Sequence, residues 1–534
     1  MSMAAQSPDE SILRKPAYWL RGRSKWQARF CAFGLGVLYV GGHAPYFLWP
    51  ASMVAITGLI WLLDGAGKTA RPVRNGAFIA WYFGLGQFLA GMYWIGFAFI
   101  ERGPAFVPIM PLAVFLLAGG LALFWMAAGA IAMRYWSRRA SRVLLFVCCV
   151  FAAEWLRGHI FTGLPWNIPG LVWPAGGMIS QSVSWLGIWG LSLLTLLAFA
   201  APAALPWSRD GSLARSLPAI GSFLCFAILF GTGLARLDAA ENQMVQGVRL
   251  RVIQARIDQS EKWDPVNRQM MIDHYLGLTA APGLGSITHL IWPEGALPLL
   301  LLESPDVLEQ MAARLADGPL LLMGVTRREV DSNQQILFRN SLAALSFRNG
   351  TPALEMVYDK HHLTPFGEYL PFGNFLAKSG IKALTPLGGG FTPGPEPVSV
   401  ELPGAPRFSP QICYEAIFSG FTPNKDQRPG WIVNVTNDSW FGPTTGPAQH
   451  AQQARIRAIE EGVPVVRSAS SGISGVIDPY GRMLAGAKPH ANTHIDADLP
   501  AALPPTFFSR FSSLGLVLWV LLVLTYTVWL SRRQ

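Results

Sequence analysis

Apolar residues run in long, nearly uncharged blocks through roughly the first 240 positions and again through the last twenty. Between about 248 and 498, short apolar runs alternate with charged ones. A helix needs about 20 predominantly apolar residues to cross the hydrocarbon core of a bilayer. Blocks of that kind lie at about 30–43, 46–63, 76–100, 106–133, 143–156, 178–205, 217–235 and 514–530, which predicts eight transmembrane helices. The block at 143–156 is short, and the stretch 158–177 after it is polar and rich in Pro and Gly. The intervening region has the strand–helix alternation of an α/β domain. Val248–Gln254, Ile287–Trp292, Leu320–Val325, Ser341–Ser346, Phe408–Ile412, Trp431–Val435 and Val465–Ser468 read as strands, with helices near 267–279 and 446–461. The predicted organisation is a membrane bundle over 1–240, an extramembrane α/β domain over 245–500 and a closing helix within 508–534.

Composition agrees with that division. Only 14% of residues are charged and 51% are hydrophobic, against about 25% charged in a typical soluble domain. The net charge of +10 does not point to nucleic acid, because many of the cations sit in short segments between apolar blocks, where they orient a membrane protein. Arg14, Lys15, Arg21, Arg23, Lys25 and Arg29 precede the first block; Lys68, Arg71 and Arg74 follow the second; Arg134, Arg138, Arg139 and Arg142 follow the fourth. Arg209 and Arg215 follow the sixth, and Arg532 and Arg533 end the sequence. Alternate loops carry little beyond Arg102 and Arg157. The asymmetry predicts cytoplasmic termini and, by parity, an α/β domain on the far side, the periplasm of a Gram-negative cell. No small-residue cleavage site follows the first block, so it reads as a retained signal anchor.

Cysteine usage then narrows the chemistry. Cys31, Cys148, Cys149 and Cys225 fall in apolar blocks and read as small packing residues. Cys413 is alone in the extramembrane domain, directly after the strand Phe408–Ile412, where α/β folds place reactive groups. Glu294 also follows a strand, in Trp292-Pro293-Glu294, where partial desolvation by its neighbours suits a general base. Lys360 stands in Asp359-Lys360-His361-His362. Taken singly, the three could be an inert thiol, a turn carboxylate and a surface lysine. Together they supply a nucleophile, a base and a cation for an oxyanion. The scattered histidines lack metal-ligand spacing, and no phosphate-binding loop is present, so neither metal nor cofactor is expected.

These segments resemble the nitrilase (carbon–nitrogen hydrolase) superfamily, whose Glu, Lys and Cys occur in that order. More narrowly, the chain is similar to the apolipoprotein N-acyltransferase family. The resemblance is carried by Trp263 in Glu261-Lys262-Trp263-Asp264, by Trp292-Pro293-Glu294 and by Lys360 with Pro365-Phe366-Gly367-Glu368. Cys413-Tyr414-Glu415 and Asn437-Asp438-Ser439-Trp440-Phe441-Gly442 complete it. It implies a nitrilase-like αββα sandwich with Glu294 as base, Lys360 as oxyanion stabiliser and Cys413 as nucleophile. Trp263, Glu368, Tyr414 and Glu415 would be supporting residues, with Glu368 holding the charge of Lys360.

A Glu-Lys-Cys site can hydrolyse an amide or pass its acyl group to an amine. One helix would tether a soluble-substrate amidase, so eight predicted spans favour a lipid-fed transferase over that alternative. A transporter is disfavoured by the scarcity of ionisable residues in the apolar blocks. The resemblance implies a phospholipid acyl donor, phosphatidylethanolamine, with diacylglyceryl apolipoproteins as acceptors; a monomer is expected. Leu297–Leu302, and Tyr369–Phe372 with Phe375, are expected to form an apolar mouth if exposed.

Overall fold

A computed structural model describes residues 10–206, 211–257, 262, 264–315, 317–371, 390–423 and 427–512, with 520, 523 and 524. The chain divides into two units. One comprises Met1–Gly96, Val107–Asp238 and Phe511–Gln534; the other comprises Phe97–Phe106 and Ala239–Arg510. Most of the predicted closing helix, and Trp263, lie outside the described residues.

The first unit is helical: α1 (Glu10–Arg21), α2 (Lys25–Val40), α3 (Trp49–Ala66), α4 (Pro72–Gly91), α6 (Met110–Arg134), α7 (Arg142–Arg157), α8 (Val183–Ala200) and α9 (Ser212–Asp238). Small residues let its backbones meet, as expected of helices without a strong hydrophobic drive between them. A Cβ on Gly36 of α2 would lie 2.0 Å from the Phe83 carbonyl oxygen of α4, and one on Gly86 of α4 would lie 2.2 Å from that of Phe33. Either substitution would push α2 and α4 apart. Leu112, Phe115, Leu116 and Leu123 of α6, and Phe223, Leu224 and Ile228 of α9, are exposed. An outward face of that kind belongs against lipid rather than water. Among the described residues of this unit, buried Arg142 pairs with Asp64 at 2.9 Å and Arg157 with Glu154, while buried Arg29 lies over the rings of Trp26 and Phe78.

Among the described residues, four helical stretches are long and apolar enough to cross a membrane: Trp49–Ala66, Val107–Arg134, Ile179–Ala204 and Ser212–Asp238. A fifth is possible if Pro72–Gly91 and Tyr93–Glu101, bent by 57°, form one span. Predicted spans 30–43 and 143–156 correspond to α2 and α7, each of 16 residues. Both fall short of bilayer length, and α7 carries Arg142, Glu154 and Arg157. The predicted span 76–100 is not straight, because the helix breaks at Met92. Beyond the break, α5 (Phe97–Glu101) belongs to the second unit, with Phe97 so close to Gly442 that a Cβ there would lie 2.1 Å from its ring.

The second unit is a sandwich of two sheets. Its strands are β1 (Met244–Gln254), β2 (His289–Ile291), β3 (Leu320–Val330), β4 (Ile336–Arg348), β5 (Thr351–Asp359), β6 (Phe408–Ile412), β7 (Trp431–Asn437), β8 (Val465–Ser470), β9 (Gly475–Ile477), β10 (Met483–Gly486) and β11 (Thr493–Pro500). The orders are β11-β1-β2-β3-β4-β5 and β10-β9-β8-β7-β6. β2 runs parallel to β1 and β3, and β7 parallel to β6 and β8. Residues of β2, β6, β7 and β8 are buried throughout, the pattern of parallel strands covered on both faces. β4 and β5 are joined by Asn349-Gly350, both at positive φ, the pair a two-residue type I′ hairpin requires.

Leu250, Val252, Ile291 and Leu322 of one sheet meet Ile412, Trp431, Val433 and Val466 of the other in the central core. On the outer face of the larger sheet, Leu290, Leu321 and Met323 pack against Tyr275 of α10 (Arg268–Thr279) and Met311 of α11 (Pro305–Leu315). Across the smaller sheet, Ile432 and Val465 pack against Ala458 of α12 (Gly446–Glu461). The layers are therefore αββα, as the motif resemblance implies. Leu297 and Leu301 are buried in the core beneath α10 and α11, and Leu299 and Leu302 pack against it. The exposure that an apolar mouth would need is thus missing at Leu297 and Leu301, and Leu299, Leu300 and Leu302 are half-buried. Tyr369–Pro371 is half-buried, and Phe372 and Phe375 lie outside the described residues.

Candidate active site

Three strand ends converge on one cluster. Glu294 follows β2, Lys360 leaves β5 at the edge of the larger sheet, and Cys413 leaves β6 at the edge of the smaller one. Gly324 on β3 makes room for Glu294, since a Cβ there would lie 2.4 Å from the Glu294 Cα.

Lys360 is fully buried, and a buried ammonium must be paired. Its Nζ donates to Glu368 at 2.9 Å to Oε2 and 3.0 Å to Oε1, and lies 3.6 Å from Glu294 Oε1. Burial works against its charge, but Glu368 and Glu294, with Cys413 and Glu415 beyond them, hold it above the ordinary lysine range. Asn340 of β4 donates its Nδ2 to both carboxylates, 2.6 Å to Glu294 Oε1 and 2.6 Å to Glu368 Oε1. The Asn437 N–H donates to Glu294 Oε2 at 2.9 Å, and the Thr364 N–H to Glu368 Oε2 at 2.7 Å. Both carboxylates are thus aimed before any substrate arrives. Nearby, the buried Lys262 donates to the Gly295 carbonyl, and burial lowers its ammonium to about 8.

Cys413 is partly accessible and sits at φ +50°, a left-handed conformation rare outside glycine. Backbone strain of this sort costs about 1–3 kcal/mol and persists only where the surroundings enforce it. Two groups do so here. Glu415 accepts from the N–H of Ile412 at 2.7 Å, from those of His361 at 2.8 Å and His362 at 3.1 Å, and from the Tyr358 hydroxyl at 3.0 Å. This one carboxylate ties the nucleophile turn to the Lys360 turn, although burial raises it to about 7. His450 of α12 stands 3.1 Å from the Cys413 carbonyl through Nε2 and 2.9 Å from Asp438 Oδ1 through Nδ1. Arg467 donates to Asp438 Oδ2 at 2.8 Å, and Thr436 to Asp438 Oδ1 at 3.0 Å. Burial and the Glu294 charge push the Cys413 thiol far above the usual range, while Lys360 and a hydrogen bond with Thr436 oppose them. The resting group is a thiol, so an adjacent base must take its proton during attack.

The structure places Glu294, Lys360, Glu368, Cys413 and Glu415 in one connected network. Tyr414 is buried in an aromatic cluster, its ring 5.8 Å from His362 and 5.1 Å from Phe418. Asn340 and His450 were not singled out from sequence, and Asp438 entered only as one residue of the Asn437–Gly442 motif. Asn340 could have been noticed as an amide at the edge of an apolar strand. His450 gives no such signal, being one polar residue in a helix that reads as polar.

The chemistry open to this arrangement is acyl transfer through a thioester. Family models match in two places: the apolipoprotein N-acyltransferase N-terminal domain over residues 35–201 and the carbon-nitrogen hydrolase domain over 286–503. The apolipoprotein N-acyltransferase of Rhodopseudomonas palustris is 38% identical over 510 residues, covering 93% of this chain and 94% of that protein. Those of Bradyrhizobium diazoefficiens and Brucella melitensis are 38% and 36% identical, covering 94% and 95% of this chain and 95% and 97% of their own lengths. Among solved structures, an amidase from Nesterenkonia sp. aligns at 15% identity with a TM-score of 0.32, over 49% of this chain and 94% of its own.

Proposed function

The chain belongs to the apolipoprotein N-acyltransferase family, and on that premise we propose how its residues carry out the transfer from phospholipid to lipoprotein. Cys413 attacks an ester carbonyl of phosphatidylethanolamine as Glu294 takes the thiol proton. The ammonium of Lys360 faces the oxyanion of the tetrahedral intermediate. Collapse breaks the ester bond, Glu294 returns its proton to the departing alkoxide, and lysophospholipid leaves an acyl-thioester on Cys413. The α-amine of a diacylglyceryl-cysteine then attacks the thioester, Glu294 accepts the amine proton, and the amide forms as the thiol is restored. Glu368 and Asn340 hold Lys360 and Glu294 at fixed separation through both half-reactions. The observation that carries this reading is the Lys360 ammonium, 3.6 Å from Glu294 and 2.9 Å from Glu368. It is tested by supplying the purified enzyme with phosphatidylethanolamine and a diacylglyceryl peptide and seeking an amide-linked third chain. Free fatty acid as the sole product would mark a hydrolase instead.

His450 acts as a positioning residue in this scheme, holding the strained Cys413 turn by its carbonyl. His450→Ala should lower kcat by roughly 10- to 100-fold, the scale of a small misplacement of a reacting group. KM for phospholipid should stay unchanged, and a rise in KM at constant kcat would remove the role.

The reading keeps 1–240 as a transmembrane bundle, 245–500 as a periplasmic catalytic domain and 508–534 as a closing helix, in a monomer with cytoplasmic termini. Its support is the run of cations after the second, fourth and sixth apolar blocks. With the five native cysteines replaced by alanine, a cysteine at the exposed Ser332 should react with an impermeant thiol reagent in intact spheroplasts. Ser332 is preferred to Asp331, whose carboxylate holds the turn by accepting from the Asn333 and Gln335 N–H groups at 2.8 Å. A cysteine at Ser137 should react only after lysis. The opposite pattern would place the catalytic domain in the cytoplasm.

A further inference from the structure

The helical unit contains a small basin lined by residues outside the Glu294, Lys360 and Cys413 site. It encloses about 140 Å³, and its walls include Arg21 at the end of α1, Asp64 in the last turn of α3 and Lys68 beyond it. Pro72 in the first turn of α4, with Trp136 and Arg138 beyond α6, also contributes. The close seat of α1 on α3 depends on Gly65, where a Cβ would lie 2.7 Å from the Arg21 carbonyl oxygen.

The acid in this wall is already committed. Asp64 accepts from Arg142 at 2.9 Å and 3.1 Å and from the Trp136 indole N–H at 3.0 Å. Asp64 also acts on Arg21 and Lys68, but it is one carboxylate among four cations, Arg21, Lys68, Arg138 and Arg142, so the charge around the basin stays positive. They act on one another: desolvation, then Arg21 and Arg138, lower the Lys68 ammonium against the opposing charge of Asp64. The wall also receives the start of α4, a 20-residue helix whose N-cap, Arg71, supplies no side-chain cap. The positive end of that helix adds to the same field. Three cations and a helix start around a small open volume are complementary to a phosphate group.

The surroundings say which phosphate. Tyr18 and Trp19, within one turn of Arg21, are 61% and 53% exposed, and Tyr135, beside Trp136, is 67% exposed. Exposed tyrosine and tryptophan at the ends of apolar helices mark the level of lipid headgroups. Basic pockets between helix ends at that level take anionic headgroups.

We propose that this basin binds the phosphate of an anionic phospholipid from the leaflet facing the basic loops, in addition to the donor lipid used by Cys413. Arg21, Lys68 and Arg138 hold the phosphate, and the exposed aromatics receive the glycerol and upper acyl region. A lipid bound there relieves the repulsion among the three cations and clamps the ends of α1, α3, α4 and α6.

The test is native mass spectrometry of the full-length protein in detergent with phosphatidylglycerol, phosphatidylcholine or inorganic phosphate. At roughly a five-fold gain per cation near the headgroup, wild type should retain phosphatidylglycerol roughly a hundred-fold better than phosphatidylcholine. Arg21→Gln with Lys68→Gln and Arg138→Gln should erase the preference, with folding checked by size exclusion and circular dichroism. Arg21→Lys with Arg138→Lys keeps the charge and should keep the preference, which covers the case in which the neutral variant misfolds. Equal retention of the two lipids by wild type, undiminished preference in the folded neutral variant, or its loss in the lysine variant would overturn the proposal. Displacement of phosphatidylglycerol by inorganic phosphate at equal concentration would assign the basin to a free anion and overturn the lipid source.

Discussion

Cys413→Ser enzyme should transfer no measurable third acyl chain, a fall of about 10³-fold or more, the scale seen when the nucleophile of a coupled catalytic set is lost. Serine preserves the size of the side chain and the strained turn, so the loss would be chemical. The environment that pushes the cysteine thiol far above its usual range would make a hydroxyl harder still to ionise. Replacing Cys31, Cys148, Cys149 and Cys225 by alanine should leave turnover largely intact. Steady-state transfer to a diacylglyceryl peptide reads both results, and full turnover by the serine enzyme would end the nucleophile assignment.

The second large effect belongs to Lys360. In Lys360→Met, Glu294 and Glu368 would share Asn340 with no cation between them, and one of the two would take up a proton. Loss of an oxyanion donor alone costs about 10²–10³-fold in kcat, so a fall of about 10³-fold or more is expected. Breaking a buried ion pair by removing one partner also destabilises by about 3–5 kcal/mol. These contributions can be separated. Adding Glu368→Gln to Lys360→Met should recover much of the thermal stability and none of the turnover. Recovery of turnover would make Lys360 a structural counter-ion.

The strand ends that carry the chemistry were legible because Glu294 and Cys413 each stand just beyond a short predicted strand, Ile287–Trp292 and Phe408–Ile412. Ile291 is followed two residues later by Pro293-Glu294, and Ile412 directly by Cys413. The partners that aim these groups were not legible. Asn340 reaches across from β4, and a cross-strand hydrogen bond leaves no periodic trace in one strand. The helix α12 shows the same limit. Its Arg457, Glu460 and Glu461 are charged, yet all three are buried, Arg457 within 3.1 Å of Glu460. Mutual charge pairing allows a polar helix to be buried, and hydropathy cannot register it. The membrane region was legible in its apolar blocks and less so in their geometry. Block 76–100 carries no charge between Asn75 and Glu101, so nothing in its hydropathy marks the break at Met92 or the return of Phe97–Phe106 to the catalytic unit.

The central claim is that the acyl chain rests on Cys413 between donor and acceptor. Purified enzyme given phosphatidylethanolamine without an acceptor should carry one acyl chain on the tryptic peptide containing Cys413, seen by mass spectrometry and lost on treatment with neutral hydroxylamine. Addition of a diacylglyceryl peptide should then discharge that chain into an amide on the peptide. An adduct on any other residue, no adduct with normal transfer, or discharge of the chain only as free fatty acid would contradict the account.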